Sequence, residues 1–169
     1  MNRRDDINVN LDELEKFFIH HLNKIYAAKK LLVAELPEVL DNAHFSDLRE
    51  AMIDTIESVK NQIVRMEEIY MIMPAAFSKL DSNGLEGLVE ESFEDIKLYG
   101  ASPELRDMSI LFYLHNIESI EMASFQILEM AAVKLKNDRI KELIKQNYDE
   151  AKSDRTLLLL ISAKYISTV

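Results

Sequence analysis

An all-α fold is what this sequence predicts: an antiparallel bundle of four long helices, with a short extra helix in the crossover between long helices two and three. Three observations point to it. Only three glycines and three prolines punctuate 169 residues, which favours long uninterrupted helices over strands and turns. Apolar residues make up 48% of the chain and recur at helical spacing in four long segments. The breaks between those segments carry turn and capping residues.

Residues 1–10 are polar and read as a flexible lead-in, leaving 11–166 as one domain. Asn10 or Asp12 can cap the first helix, in which Leu11, Leu14, Phe18, Ile25 and Leu32 recur on one face. Pro37 marks its end or a kink. Ser46 is the expected cap of the second helix, whose apolar series runs from Leu48 through Met52, Val59 and Met66 to Met73 before Pro74 stops it. Asp81-Ser82-Asn83-Gly84 is a turn signal. The short helix spans roughly Leu85 to Leu98. Ser102 and Pro103 then stand at the cap and first helical positions of a third long helix ending near Lys136. Asn137 and Asp138 break it, and a fourth runs from about Arg139 to Lys164. Each long helix would span about 35–45 Å at ~1.5 Å per residue. Four long helices with one long crossover connection is the ferritin-like arrangement.

Composition excludes several classes of function. There is no cysteine, hence no disulfide framework, thiolate metal site or thiol nucleophile. A net charge of −10 repels nucleic acid and anionic lipid. No apolar stretch approaches the ~18 residues of a membrane span, and the start lacks a secretory core, so a cytoplasmic address is the default expectation. No nucleophile elbow and no glycine-rich phosphate loop is present. The eight methionines read as core filling.

The informative residues interrupt the apolar stripes. On the first helix the stripe reads Phe18, His21, Ile25, Lys29 or Ala28, and Leu32. On the second it reads Leu48, Met52, Thr55, Val59, Gln62 and Met66. On the third it reads Leu111, Leu114, Glu118, Glu121, Phe125 and Leu128. On the fourth it reads Ile140, Leu143, Asn147, Glu150 or Ala151, Asp154, Leu158 and Ile161. Glu118 and Glu121 share a face. If both are buried they need protons, cations or a metal; otherwise they lie on the rim in water. Lys29 either snorkels outward or pairs with a buried carboxylate. His115 and Glu118 form an H-x-x-E pair that could ligate a metal, although an edge histidine is the plainer reading. No Glu-x-x-His pair stands at the inward centre of any helix. Methionines and aromatics from Tyr70 to Phe77 could form a dimer contact or pack beneath the short helix.

Several stretches, taken together, resemble the YciE/YciF ferritin-like bacterial stress proteins. They are Ile25 to Leu32 with Leu36-Pro37, Asn61 to Glu67, Leu85 to Glu91, Pro103 to Asp107, Ile117 to Glu121 and Asp149 to Lys152, in the family's order over about residues 12–160. The resemblance implies a ferritin-like bundle, commonly dimeric, with a di-metal centre. It also implies Glu where this chain has Lys29, His where it has Thr55, and Glu where it has Ser58. Ser119 replaces a His within an E-H-x-E pattern, and a Glu-Glu pair has become Glu150-Ala151. Glu118, Glu121, Glu150 and Asp154 remain. Every departure removes a ligand, and one inserts an ammonium, which has no lone pair with which to hold a metal.

The expectation is a non-catalytic or weakly metal-binding protein, a homodimer or interaction module without cofactor. Glu118, Glu121 and Glu150 would be a vestigial metal set, Lys29 its charge-balancing replacement, and Asp154 and His115 weaker candidates. The alternative is a rubrerythrin-like oxidase or peroxidase holding iron or manganese at a partial carboxylate site.

Overall fold

The structure, a computed structural model, describes residues 9–73 and 84–167. Residues 1–8 of the lead-in and the turn at Asp81-Ser82-Asn83 lie outside them. Five helices follow one another: α1 (Leu11–Asn42), α2 (Ser46–Ile72), α3 (Leu85–Leu98), α4 (Pro103–Lys134) and α5 (Asp138–Ser167). No strand occurs among the described residues.

Packing follows from the stripes. α1 touches α2 and α4, and α5 also touches both, so the four long helices form a closed ring. Two apolar clusters fill it. One joins Leu32, Leu36 and Val39 of α1 to Leu48 and Met52 of α2, Ile110 and Leu114 of α4, and Leu158 of α5. The other joins Leu14, Phe18 and Leu22 of α1 to Met66 and Ile69 of α2, Phe125 and Leu128 of α4, and Ile140 and Leu143 of α5. The start of α1 thus shares a cluster with the ends of α2 and α4, and neighbouring helices run in opposite directions. Burying a side chain such as Phe18 or Phe125 contributes about 1.5–3 kcal/mol. α3 lies on α1 and α4, outside the ring.

The helix ends depart from the sequence expectations in three places. Asn10 does cap α1, its side chain accepting from the Asp12 N–H at 3.1 Å. Pro37 does not end the helix, which continues to Asn42. Leu36, Val39 and Ala43 are buried around the proline, and that packing outweighs one missing backbone hydrogen bond. Ser46 is not the cap of α2: it is the first helical residue, and the cap position falls on Phe45, with no side-chain bond of its own. The capping acceptor comes from another helix. The Asp107 carboxylate of α4, fully buried, accepts the backbone N–H groups of His44 at 2.6 Å and Phe45 at 2.5 Å. Its negative charge also complements the helix N-terminus. Ser102 occupies the cap position of α4 without a side-chain bond. Between α4 and α5, Lys136 takes a φ of 56°, and Asn137 accepts from the Ile140 N–H at 3.0 Å, capping α5.

His21 is only half-buried, and Leu22 takes the core position instead. Tyr70 packs on α1, donating to Asn23 at 2.7 Å with its ring against Tyr26. Residues 74–77 of that aromatic stretch lie outside the described residues. No described helix is long and apolar enough to cross a membrane.

Candidate functional site

Where the two apolar clusters meet, all four long helices turn polar side chains inward: Lys29 from α1, Thr55 and Gln62 from α2, Glu118 and Glu121 from α4, and Asn147 and Asp154 from α5. Helical spacing puts them there, because each occupies a stripe position between two buried apolar residues. Lys29, Glu118 and Glu121 are fully shielded from water.

Lys29 does not snorkel. Its ammonium donates to Glu121 Oε2 at 2.5 Å and lies 5.7 Å from the centre of the Phe125 ring. One buried cation therefore faces two buried carboxyls, and only one of them receives its proton donor. Glu118 has no hydrogen-bond partner on either oxygen, nor does Glu121 on Oε1. Burial, and next the charge of Glu121, push the Glu118 carboxyl well above the usual carboxylate range, against the pull of Lys29. Burial raises Glu121 as well, opposed by its bond to Lys29. Asp154 is pushed up to about 6, first by burial, with a Ser58 hydrogen bond and Lys29 pulling the other way.

Glu150 stands apart. Arg65 of α2 grips both its oxygens, at 2.7 and 2.6 Å, and also donates to Asn147 Oδ1 at 3.2 Å. The Glu150 side chain keeps 29% exposure, whereas its neighbour Ala151 takes the core position. His115 is half-buried, its Nε2 is without a partner, and no hydrogen bond joins it to Glu118. Burial, and then Arg155, lower its pKa. At Ser119, the hydroxyl donates to the His115 carbonyl at 2.7 Å and accepts from Arg155 Nε at 2.8 Å. The sequence reading named neither Arg65 nor Asp107 as a partner. Arg65 lies three residues after Gln62, at the edge of the α2 stripe, which was the available signal.

These residues do not fit a di-metal centre. Among the described residues no three His, Asp or Glu side chains converge as a metal cluster. One central carboxyl is paired with a lysine, the second has no hydrogen-bond partner, and the third is held by an arginine. What the arrangement supplies is a neutralised polar layer inside an apolar ring.

Comparison with known proteins agrees on kinship. The profile of the family described as "Domain of unknown function (DUF892)" matches residues 13–167. Protein YciF of Escherichia coli (strain K12) is 26% identical over 146 residues, which is 86% of this chain and 87% of that protein. The crystal structure of the E. coli stress protein YciF superimposes with a TM-score of 0.83 at 23% identity, over 92% of this chain and 98% of that one. YcfI from Rhodopseudomonas palustris gives a TM-score of 0.79 at 24% identity, over 94% and 98%.

Proposed function

The chain belongs to the DUF892 family, the kin of YciF, and from that premise we propose that it is a ferritin-like four-helix bundle in which Lys29 has replaced the metal. It acts without catalysis, through its surface, in bacterial stress physiology, as YciF's description as a stress protein suggests. A cytoplasmic homodimer or interaction module fits its charge of −10. One observation carries the reading: the Lys29 ammonium, sealed from water, bonded to Glu121. At neutral pH Glu121 is then ionised against Lys29, and Glu118 stays neutral by holding a proton. A charge-balanced centre results with no ion required.

The rival reading is a rubrerythrin-like oxidase or peroxidase on Glu118, Glu121 and Glu150. It draws on three carboxylate oxygens without hydrogen-bond partners, both of Glu118 and one of Glu121. It is the weaker reading because Arg65 holds Glu150 by both oxygens. Elemental analysis of protein purified without chelator separates the two. Iron, manganese and zinc far below one equivalent are expected, with a gain of metal in Lys29→Glu. Near-stoichiometric metal in the wild type, with oxygen or peroxide consumption, would overturn the proposal.

A further inference from the structure

Two tyrosines are held in the same way at two places on the bundle. Tyr26 of α1 is half-buried, and its phenol donates across to Glu67 Oε1 of α2 at 2.8 Å. Tyr113 of α4, also half-buried, donates to the Asp95 carboxylate of α3. Each pair joins two helices, with Glu67 exposed and Asp95 half-buried. Burial, and next the bond to Glu67, push the Tyr26 phenol up to about 12. The bond to Asp95, and next burial, push Tyr113 up to about 12 as well. At neutral pH both phenols therefore hold their protons, and each has a proton acceptor already within hydrogen-bond reach.

With neither Cys nor Trp in the chain, tyrosine is its readiest one-electron donor. A phenol that loses an electron becomes a strong acid, so the electron leaves easily only where a base takes the proton in the same step. Tyr70 and Tyr165 lack that base. Tyr70 donates to the amide oxygen of Asn23 at 2.7 Å, which accepts a hydrogen bond but is too weak a base to keep a proton, and Tyr165 stacks on Phe45 with ring centres 3.8 Å apart.

We propose that Tyr26–Glu67 and Tyr113–Asp95 are electron donors to one-electron oxidants that reach the surface, oxidising radicals being the chemical class. In the step, one electron leaves the phenol ring and reduces the oxidant by one. The phenolic O–H bond breaks, the proton passes to the carboxylate oxygen, and a neutral tyrosyl radical and a neutral carboxylic acid remain. The pair goes from one negative charge to none, the electron having left with the oxidant. Tyr26 also has a second tyrosine against it, with the Tyr70 ring centre 5.6 Å away at 85°. Both rings pack on the apolar cluster that holds Met66, which is fully buried. Of these two phenols only Tyr26 can release its proton to a base, so oxidation at this interface ends on Tyr26 and not on the methionine beneath it.

The inference rests on side-chain geometry, and metal content does not enter it. The test is flash photolysis of the full chain with tris(bipyridine)ruthenium(II) and a viologen quencher, which makes the ruthenium(III) oxidant in place, the tyrosyl radical being followed by its absorbance. The cationic oxidant is drawn to a chain of net charge −10 in every variant. Wild type is expected to form the radical in a fast phase that slows in heavy water. Glu67→Gln and Asp95→Asn keep an acceptor for the phenol hydrogen bond but remove the base. Each should remove half of the fast phase, and the double variant all of it, leaving radical formed about a hundredfold more slowly. Tyr70→Phe should leave the fast phase whole. So should Glu57→Gln, which removes one exposed negative charge of α2 outside both pairs. An unchanged helical spectrum in each variant keeps a loss of fold from standing in for a loss of base. A wild type without the fast phase overturns the inference, as does a fast phase that survives in the double variant or falls equally in Glu57→Gln. Loss of the whole fast phase in one single variant overturns the assignment to two pairs. None of these outcomes bears on the elemental analysis, so the two proposals fail separately.

Discussion

The Lys29 ammonium donates to Glu121 at 2.5 Å in a centre where neither side chain is reached by water. Two charges buried together persist because separating or orphaning either is worse than keeping both.

Removing one partner therefore matters more than removing both. Lys29→Met is expected to destabilise by about 3–5 kcal/mol, because it leaves Glu121 unpaired in the apolar ring. The double variant Lys29→Met with Glu121→Gln should be the more stable of the two, since no charge is then stranded. Urea unfolding of both singles and the double gives the coupling. Additive losses would show that the pair does not act as a unit.

Glu118 and Glu121 differ in kind, and neutral amides expose the difference. Glu118→Gln mimics a carboxyl that already holds its proton, so at neutral pH its stability should match or exceed wild type. Glu121→Gln strands Lys29 and should lose stability on the same scale as Lys29→Met. Equal losses at the two positions would mean that Glu118 is ionised in the native state.

The pH dependence has a defined sign. Asp154 is raised from 3.8 to about 6, so the native state holds a proton that the unfolded chain has released. Its contribution is complete below pH 3.8 and is lost as pH rises through about 6. Glu118, raised well above 4.5, adds the same sign and extends the loss to higher pH. Stability measured for Asp154→Asn relative to wild type should improve as pH rises from 3.8 to 6. A flat difference would place the Asp154 carboxyl in contact with bulk water.

Asp107 and Ser46 make contrasting predictions at one helix end. Asp107→Ala removes the acceptor of two backbone N–H groups and should cost about 2–3 kcal/mol. Ser46→Ala, at the position that sequence alone marks as the cap, should stay within about 0.5 kcal/mol of wild type. Thermal unfolding of the two variants decides between them.

Arg65→Met releases Glu150 and leaves the Asn147 Oδ1 without its donor. The bond is bidentate and partly shielded, so a loss of about 1–3 kcal/mol is expected by urea unfolding.

How much was legible in the sequence follows from which interactions are local. Helix existence, order and inward faces come from spacing within one segment, so they could be read directly. The stripes of α2 and α4, from Leu48 to Met66 and from Leu111 to Leu128, are buried at every position named. On α5 the spacing left Glu150 and Ala151 both open, and it is Ala151 that is buried. Spacing cannot say what a side chain meets across the ring. Whether Lys29 turned out to water or in to Glu121, whether Glu150 faced the centre or Arg65, and whether Ser46 or Asp107 capped α2 each depended on another helix. By itself, then, the sequence determined an all-helical chain with charged residues among its apolar stripes. Tertiary structure alone decided which of those charges became partners, because an ion pair is set by distance between elements far apart in the chain, and a period along one helix carries no such distance.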